Sequence, residues 1–189
     1  MKKFIPVHGG YKSLISYQKA EIVYDATVYF TDRFFAKGDR TIGQMVQAAR
    51  SGKQNIAEAS MASGTSKETE IKLTNVARAS QEELLIDYRD FLRKHNLLEW
   101  PKHHPYTLRL RDLNRRPEGN YETFQRGIEN QNPEICANVI IGLIKVVTYL
   151  LYKQICVLEE EFLQNGGLRE RMTQARLVVR NDQQFKRRR

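Results

Sequence analysis

Two amphipathic stretches with helical spacing follow each other within residues 41–93. In the first stretch, apolar and small residues recur at alternating intervals of three and four, which places them along one side of an α-helix: Ile42, Met45, Ala49, Gly52, Ile56 and Ala59. The pattern breaks at Ser63-Gly64, and Thr65 with Glu68 forms a capping-box pair that opens a second helical pattern. Because half of the first stripe consists of small residues, Ala49, Gly52 and Ala59, a neighbouring helix can approach it closely. We therefore predict a tight antiparallel helical hairpin.

Further helices are predicted on both sides of this hairpin. A wide, aromatic-rich apolar surface predicts a helix over residues 15–36, and Asn132 as N-cap with Pro133 in the first position predicts a long helix over 133–163. The hairpin helices themselves should span residues 41–62 and 66–95. The expected fold is all-α, an up-down-up-down antiparallel four-helix bundle with an extra C-terminal helix.

Residues 96–131, called the insertion below, interrupt the helical pattern between the third and fourth helices. Prolines and Gly119 break it twice, and short helices over Tyr106–Leu113 and Tyr121–Glu129 fit between the breaks. We predict an irregular insertion with exposed, partly mobile backbone inside a bundle domain of residues 1–164. Residues 165–189, the C-terminal segment, should form a basic helix over Leu168–Arg180 and a disordered basic tail.

The helix predicted over residues 133–163 is apolar on two faces. One face holds Ile135, Val139, Gly142, Val146 and Tyr149, and the other holds Ile140, Leu143, Val147 and Leu151. A helix that is apolar on two faces must be covered on both. The bundle covers one face, and a second copy of the chain is the simplest cover for the other, so we predict a homo-oligomer.

Cysteine usage and hydropathy indicate the compartment. Cys136 and Cys156 fall about 30 Å apart on one predicted helix, so they cannot form a disulfide within the chain. The favoured role of both cysteines is buried apolar packing, and free cysteines favour a reducing compartment. The apolar run after Met1 is far too short for a signal peptide. The stretch Val139–Tyr152 is interrupted by Lys145 and is shorter than the roughly 20 residues that a membrane span needs. We predict a cytoplasmic protein with no membrane partner.

Sequence motifs for catalysis are sparse. The pair His103-His104 has no cysteine or carboxylate at metal-ligand spacing, and the chain contains no HExxH, GxSxG or glycine-rich phosphate loop. An active site can assemble from distant residues, but no motif favours one. We therefore predict a non-enzymatic protein with no catalytic residues, no cofactor and no metal.

Polar residues inside the predicted hairpin have two interpretations. Asn55 and Glu58 lie in its first helix and Arg78 lies in its second, so Glu58 and Arg78 could meet across an antiparallel interface. Glu58 could be a catalytic carboxylate, but a partly buried charge needs a partner, which favours a structural role. The favoured hypothesis is a polar clasp that fixes helix register, formed by Asn55, Glu58 and Arg78.

The net charge of +9 is concentrated in two segments. Residues 101–126 hold six basic and three acidic side chains, and residues 165–189 hold eight basic and two acidic ones, while the remainder is balanced. Basic appendages on a neutral body favour a polyanionic partner, although charge that only aids solubility is the alternative. Arginine donates two hydrogen bonds to two phosphate oxygens, so the expected RNA- or DNA-binding residues are Arg109, Arg111, Arg115, Arg116, Arg169, Arg171, Arg176, Arg180 and Lys186.

Three aromatic side chains of the insertion have two alternative roles. Tyr106, Tyr121 and Phe124 could stack on unpaired bases, because every base offers a π-face to an aromatic ring. They could equally pin the insertion to the helical bundle. The sequence leaves both roles open.

The run Gln44–Ala59 also resembles a known family. With Asn55-Ile56-Ala57-Glu58 at its centre and Ala48-Ala49 and Ser51 upstream, it is similar to bacterial four-helix-bundle proteins encoded by intervening sequences of 23S ribosomal RNA genes. Accessory variability proteins of diversity-generating retroelements look similar. Residues 65–93 and 166–172 resemble a subgroup with an extra C-terminal "suffix" segment. The resemblance implies an up-down-up-down bundle that assembles as a homopentamer and, for the retroelement relatives, binding of nucleic acid and reverse transcriptase.

These observations predict a non-enzymatic, oligomeric helical-bundle protein that binds RNA or DNA through the insertion and the C-terminal segment. Many members of the resembling family carry a basic pair where this chain has Val46-Gln47. If that pair binds nucleic acid in those members, this chain must use other positions, which leaves the two basic segments. The alternative is a protein-interaction scaffold whose basic segments dock an acidic partner protein.

Overall fold

The computed structural model describes residues 5, 8–116 and 119–187, with side chains up to residue 184 in the last helix. All regular structure in this part of the chain is helical, which confirms the all-α prediction. After a 3-10 turn at Tyr11–Ser13 come α1 (Ile15–Phe34), α2 (Arg40–Ala62), α3 (Lys67–Lys94), α4 (Pro105–Asn114), α5 (Tyr121–Ile128), α6 (Pro133–Asn165) and α7 (Leu168–Arg187).

Side-chain caps set the first residues of the long helices. Asp39 accepts a hydrogen bond from the Thr41 amide at 2.9 Å at the start of α2, and Asn132 accepts one from the Glu134 amide at 2.9 Å at the start of α6. The predicted Asn132 cap is therefore confirmed. The cap of α3 is Ser66, whose Oγ accepts from the Thr69 amide at 3.1 Å, so this helix begins one residue later than predicted.

The helices α1, α2, α3 and α6, called the core helices below, pack around one hydrophobic core. Each of them packs against two of the others: α2 lies against α1 and α3, and α6 also lies against α1 and α3. Phe30 of α1 is completely buried, and its ring lies 4.8 Å from that of Phe91 and 4.9 Å from that of Tyr88, both on α3. The aromatic surface expected for the first helix is therefore part of the core.

The predicted hairpin packs as closely as its small residues allow. Gly52 of α2 is buried against the side chain of Gln81 on α3, and a Cβ at position 52 would overlap the Gln81 amide. Directly beside these two residues, the Ser51 and Ser80 hydroxyls are hydrogen-bonded at 3.0 Å. A side chain at position 52 would therefore force the buried Gln81 side chain to move.

The predicted polar clasp is wrong in its charged part. Glu58 is exposed and forms no ion pair with any residue that the structure describes, while the Arg78 guanidinium contacts Asn75 on its own helix at 3.4 Å. Glu58 lies on the solvent-exposed side of α2, although its sequence neighbours Ala57 and Ala59 are buried. Asn55 instead donates to the Ser51 carbonyl at 2.9 Å and supports the hydroxyl pair between the helices.

The two short helices predicted within the insertion are confirmed as α4 and α5, which make up half of its 36 residues, and both are packed against the core helices instead of being exposed, mobile backbone. Both α4 and α5 lie against α6. Gly127 lets α5 approach, since a Cβ there would come within 2.7 Å of the Val139 side chain, and Leu110 of α4 lies 3.4 Å from where a Cβ of Gly142 would be. The insertion thus covers the N-terminal half of the apolar face of α6 that carries Val139 and Gly142.

The remaining half of that face is exposed. Tyr149, Tyr152, Cys156 and Leu163 share one side of α6 and all face solvent. The expected buried packing holds for Cys136, whose Sγ donates to the Ile128 carbonyl at 2.7 Å and whose pKa burial raises to about 12, but it is wrong for Cys156. Both cysteines are free thiols.

The C-terminal segment is helical further than predicted. No glycine or proline lies between Leu168 and Arg187, so α7 continues through Phe185-Lys186-Arg187, which had been expected to be disordered. Residues 188 and 189 lie outside the described part of the chain.

Length and composition alone would allow the helical stretch Pro133–Gln184 to cross a membrane. Within its most apolar window, however, 56% of the residues are buried inside the protein. A core helix passes the same test, so the cytoplasmic location stays a prediction.

Candidate nucleic-acid interface

The arginines predicted to bind nucleic acid are all solvent-exposed and fall into two groups. The side chain of Lys186 lies outside the described residues. One group lies on α4 or directly after it, and the other lies on α7: Arg109, Arg111, Arg115 and Arg116 in the first, and Arg169, Arg171, Arg176 and Arg180 in the second.

The structure divides the first group between two sides of α4. Arg111 and Arg115 are four residues apart and share a side, whereas Arg109 is two residues from Arg111 and lies on nearly the opposite side. Arg111 and Arg115 face a cleft between α4 and α6, while Arg109 faces a second cleft between α4 and α5. The four arginines are therefore not one patch.

The cleft between α4 and α6 has a volume of about 650 Å³ and is called the basic cleft below. Five cationic side chains line it, and three of them come from outside the predicted set: Arg89 from α3, Lys102 from the loop before α4, Arg111, Arg115, and Lys145 from α6. In the sequence, Lys145 stands out only as an interruption of the apolar stretch Val139–Tyr152. A lone charge inside such a stretch is the signal that could have found it.

Two carboxylates offset part of this charge. Glu99 accepts hydrogen bonds from Arg89 Nε at 3.0 Å and from Lys145 Nζ at 2.7 Å, and Asp112 pairs with Arg115 at 3.4 Å. Five cations against two carboxylates leave an excess of three positive charges at the cleft. Partial burial works to raise the pKa of Glu99, but the bonds from Arg89 and Lys145 outweigh it and hold that pKa below its ordinary value.

Replacing Glu99 with Gln should tighten the binding of a polyanion and slightly weaken the fold. Removing one negative charge frees Arg89 and Lys145 to contact phosphate. The slope of the logarithm of the binding constant against the logarithm of the salt concentration should therefore become steeper by about one. The carboxylate stabilises the fold above its unfolded-state pKa of about 4.3, and this contribution is lost as pH falls through the lowered folded-state pKa. Thermal melts should therefore differ by less than about 1 kcal/mol at pH 7 and coincide near pH 3.

A matched control exists in the same chain. Glu58 is also exposed but forms no ion pair within the described residues, so Glu58→Gln removes the same charge far from the cleft. Equal effects of the two substitutions on binding would mean that only net charge matters and that the basic cleft has no special role.

The cleft between α4 and α5 is smaller, about 430 Å³, and is called the aromatic cleft below. Its lining includes Trp100, Tyr106 and Phe124 together with Arg109 and Arg126. Of the three aromatic residues whose role the sequence left open, Phe124 is 3% exposed and Tyr121 is partly buried against the hydrophobic core. These two pin the insertion, whereas Tyr106 is 52% exposed and remains accessible.

A buried lysine anchors the insertion to the core helices. Lys19 of α1 is 1% exposed, donates to the Gly119 carbonyl at 3.0 Å, and lies 4.6 Å from the centre of the Phe124 ring. Desolvation lowers its pKa. Directly after this contact Asn120 caps α5, accepting from the Thr123 amide at 3.2 Å. The α5 wall of the aromatic cleft is therefore held in place from α1.

The second group of arginines belongs to a helix that projects from the body. Gly166, with φ +62°, ends α6, and only the first residues of α7 lie near the start of α3. Within the described chain, α7 packs broadly against none of the other helices. Its arginines form no ion pairs there, and its apolar side chains Met172, Leu177, Val178 and Val179 are exposed.

Other chemistry finds little support in this geometry. Among residues 8–116 and 119–184, no three His, Cys, Asp or Glu side chains are grouped so that they could hold a metal ion. His103 and His104 lie in the loop before α4, where the His104 ring stacks on Trp100 with 4.8 Å between centroids. No family model, no curated protein and no solved structure matches this chain.

Proposed function

We propose that this protein is a non-enzymatic nucleic-acid-binding protein that holds the phosphate backbone of RNA or DNA in the basic cleft and along α7. The observation that carries the proposal is the convergence of five cations on one cleft from α3, α4, α6 and the loop before α4. Charges so far apart in sequence meet there with an excess of three over their carboxylate partners. A phosphodiester chain is a ligand that such an arrangement suits.

The side chains suit phosphate rather than a single carboxylate. Arg111 and Lys102 form no ion pair with any described residue, so both are available for phosphate oxygens without losing an existing contact. Arginine forks bind two oxygens at once, and lysine adds a mobile point charge. On α7, Arg169, Arg176 and Arg180 share one side and form a second positive surface about three helical turns long.

The same proposal includes an up-down-up-down four-helix arrangement of the core helices and assembly of several copies. Contacts between Ser16 and Gln154 at 3.3 Å and between Lys67 and Glu161 at 3.2 Å support an antiparallel α6 beside α1 and α3. The exposed side of α6 that carries Tyr149, Tyr152 and Leu163 supports contact with a second copy, and the family resemblance favours five. Light scattering that gives the mass of one chain would contradict the assembly.

Arg111→Gln should weaken binding of a fluorescent oligonucleotide at every salt concentration and make the salt dependence shallower by about one unit. The measurement is fluorescence anisotropy between about 50 and 200 mM salt, where several phosphate contacts change the affinity by orders of magnitude. Arg50→Gln is the matched control, because Arg50 is equally exposed but lies on α2, which does not border the cleft.

Two results would count against the proposal. Absence of binding at about 50 mM salt would exclude nucleic acid as the ligand. Equal effects of the Arg111 and Arg50 substitutions would remove the basic cleft from the interaction. Purification of an acidic protein with the chain after nuclease treatment, together with absence of oligonucleotide binding, would instead support the scaffold alternative.

A further inference from the structure

The aromatic cleft lies on the opposite side of α4 from the basic cleft. Trp100 and Leu110 line both clefts, so a single helix forms the ridge between them. One side of this ridge presents an excess of positive charge, and the other presents a mainly apolar cavity with aromatic walls. A ligand that crosses α4 would meet both.

The walls of the aromatic cleft are fixed before any ligand arrives. The Trp100 amide donates to Asn138 Oδ1 at 2.7 Å, and its indole Nε1 donates to Glu134 Oε1 at 3.4 Å. Phe124 is held beneath the buried Lys19. Tyr106 packs against the Trp100 ring with 5.2 Å between centroids and leaves about half of its surface exposed. A planar ring entering the cleft would therefore find the exposed Tyr106 ring on a support already fixed by the buried Trp100 and Phe124, and little entropy would be lost in ordering that surface.

The polar groups at the cleft suit the other parts of a nucleotide. Arg109 and Arg126 line it and form no ion pair with any residue that the structure describes, while Glu122 is the one carboxylate in the lining. Asn130 accepts the Asn132 amide at 2.9 Å through Oδ1, which leaves its Nδ2 hydrogens to donate to a base edge. The cleft therefore offers stacking surface, a hydrogen-bond donor and two cations.

The volume of the aromatic cleft indicates whether a single strand or a duplex fits. About 430 Å³ lies within the range of small-molecule pockets, and a nucleotide is a ligand of that class. A base in a duplex is paired and stacked, and it would have to leave the stack to enter such a cavity. A base in a single strand already has an accessible π-face, which aromatic side chains bind with little regard to sequence.

We infer that the aromatic cleft takes an unpaired base of a single strand whose neighbouring phosphates lie in the basic cleft across α4. The exposed ring of Tyr106 stacks on the base, the buried Trp100 supports that ring from behind, and Arg109 and Arg126 contact the phosphates beside the base. The inference rests on the proposed function and narrows it to single-stranded RNA or DNA. Stacking, rather than charge alone, then distinguishes the ligand from a duplex.

The test compares three probes of equal charge by fluorescence anisotropy. They are a single strand of about 16 nucleotides, a duplex hairpin with the same number of phosphates, and a single strand of abasic sugar-phosphate units. The intact strand should bind most tightly, and Tyr106→Ala should weaken its binding about 5- to 150-fold while leaving the abasic strand unaffected. Tyr106→Phe keeps the ring and should restore the preference.

Trp100 supplies an independent signal, because it is the single tryptophan of the sequence. Its fluorescence should be quenched by the intact strand and unchanged by the abasic strand. Equal binding of all three probes, with no effect of Tyr106→Ala, would overturn the inference and leave the proposed function standing. No binding of any probe would overturn both.

Discussion

Truncation of the chain after Gly167 should lower the affinity for an oligonucleotide about tenfold or more while the rest of the protein stays folded. The deleted residues carry eight basic and two acidic side chains. Within the described chain α7 packs broadly against no other helix, so its removal costs the core little buried surface. Anisotropy titrations should show a shallower salt dependence, and circular dichroism melts should show an unchanged main transition.

A variant of unchanged length separates charge from helix. Changing Arg169, Arg171, Arg176 and Arg180 to Gln together keeps α7 but removes four cations, and it should reproduce most of the loss in affinity. If the truncated protein bound as tightly as the full chain, α7 would have no part in the interaction, and the basic cleft alone would carry it.

Phe30→Ala should lower the free energy of unfolding by about 3–5 kcal/mol, because it opens a cavity in the most tightly packed part of the core. The Phe30 ring is completely buried and contacts four other aromatic rings, those of Phe34, Phe35, Tyr88 and Phe91. Their edge-to-face and tilted contacts add to the loss of buried area. Denaturant unfolding at constant m-value measures the difference directly.

The same substitution elsewhere provides the comparison. Phe162 lies near the end of α6, is 39% exposed and lies outside the aromatic cluster, so Phe162→Ala should cost far less. A loss below about 1 kcal/mol for Phe30→Ala would mean that the core can collapse into the space, contrary to the close packing described above.

The helical pattern of the sequence was a reliable guide where helices are long and amphipathic. The observed ends of α1, α2, α3 and α6 each lie within two residues of the predicted ends. Local signals set these positions: the Asp39, Ser66 and Asn132 caps and the break at Gly166. Such signals act over one or two turns, so they can be read without knowing the fold.

The insertion was harder to predict because its order comes from distant contacts. Lys19 and Gly119 are 100 residues apart in sequence, and nothing in the sequence around either residue indicates that they are in contact. The short helices α4 and α5 would be marginal alone and depend on packing against α6. The sequence indicated both short helices between its prolines and glycines, but it did not indicate that they pack against α6.

The candidate site could be predicted only in part for the same reason. Clustering of arginines along the chain identified Arg111 and Arg115, but it grouped them with Arg109, which lies on the other side of the helix. Arg89 and Lys145 come from balanced or apolar stretches, where counting charge gives no signal. The predicted ion pair between Glu58 and Arg78 is wrong because the position of a residue around the helix decides where its side chain points. Proximity in sequence to buried residues does not decide this.

The anchoring of the insertion through Lys19 has a consequence for heat sensitivity. A helical flap held by one buried amine, one capped short helix and contacts to α6 can detach without the core helices separating, because local opening needs less free energy than global unfolding. Both clefts have a wall on that flap. On warming, the surface that we propose to bind nucleic acid would then come apart at temperatures where the core is still intact, so oligonucleotide binding would be lost before the helicity of the core helices.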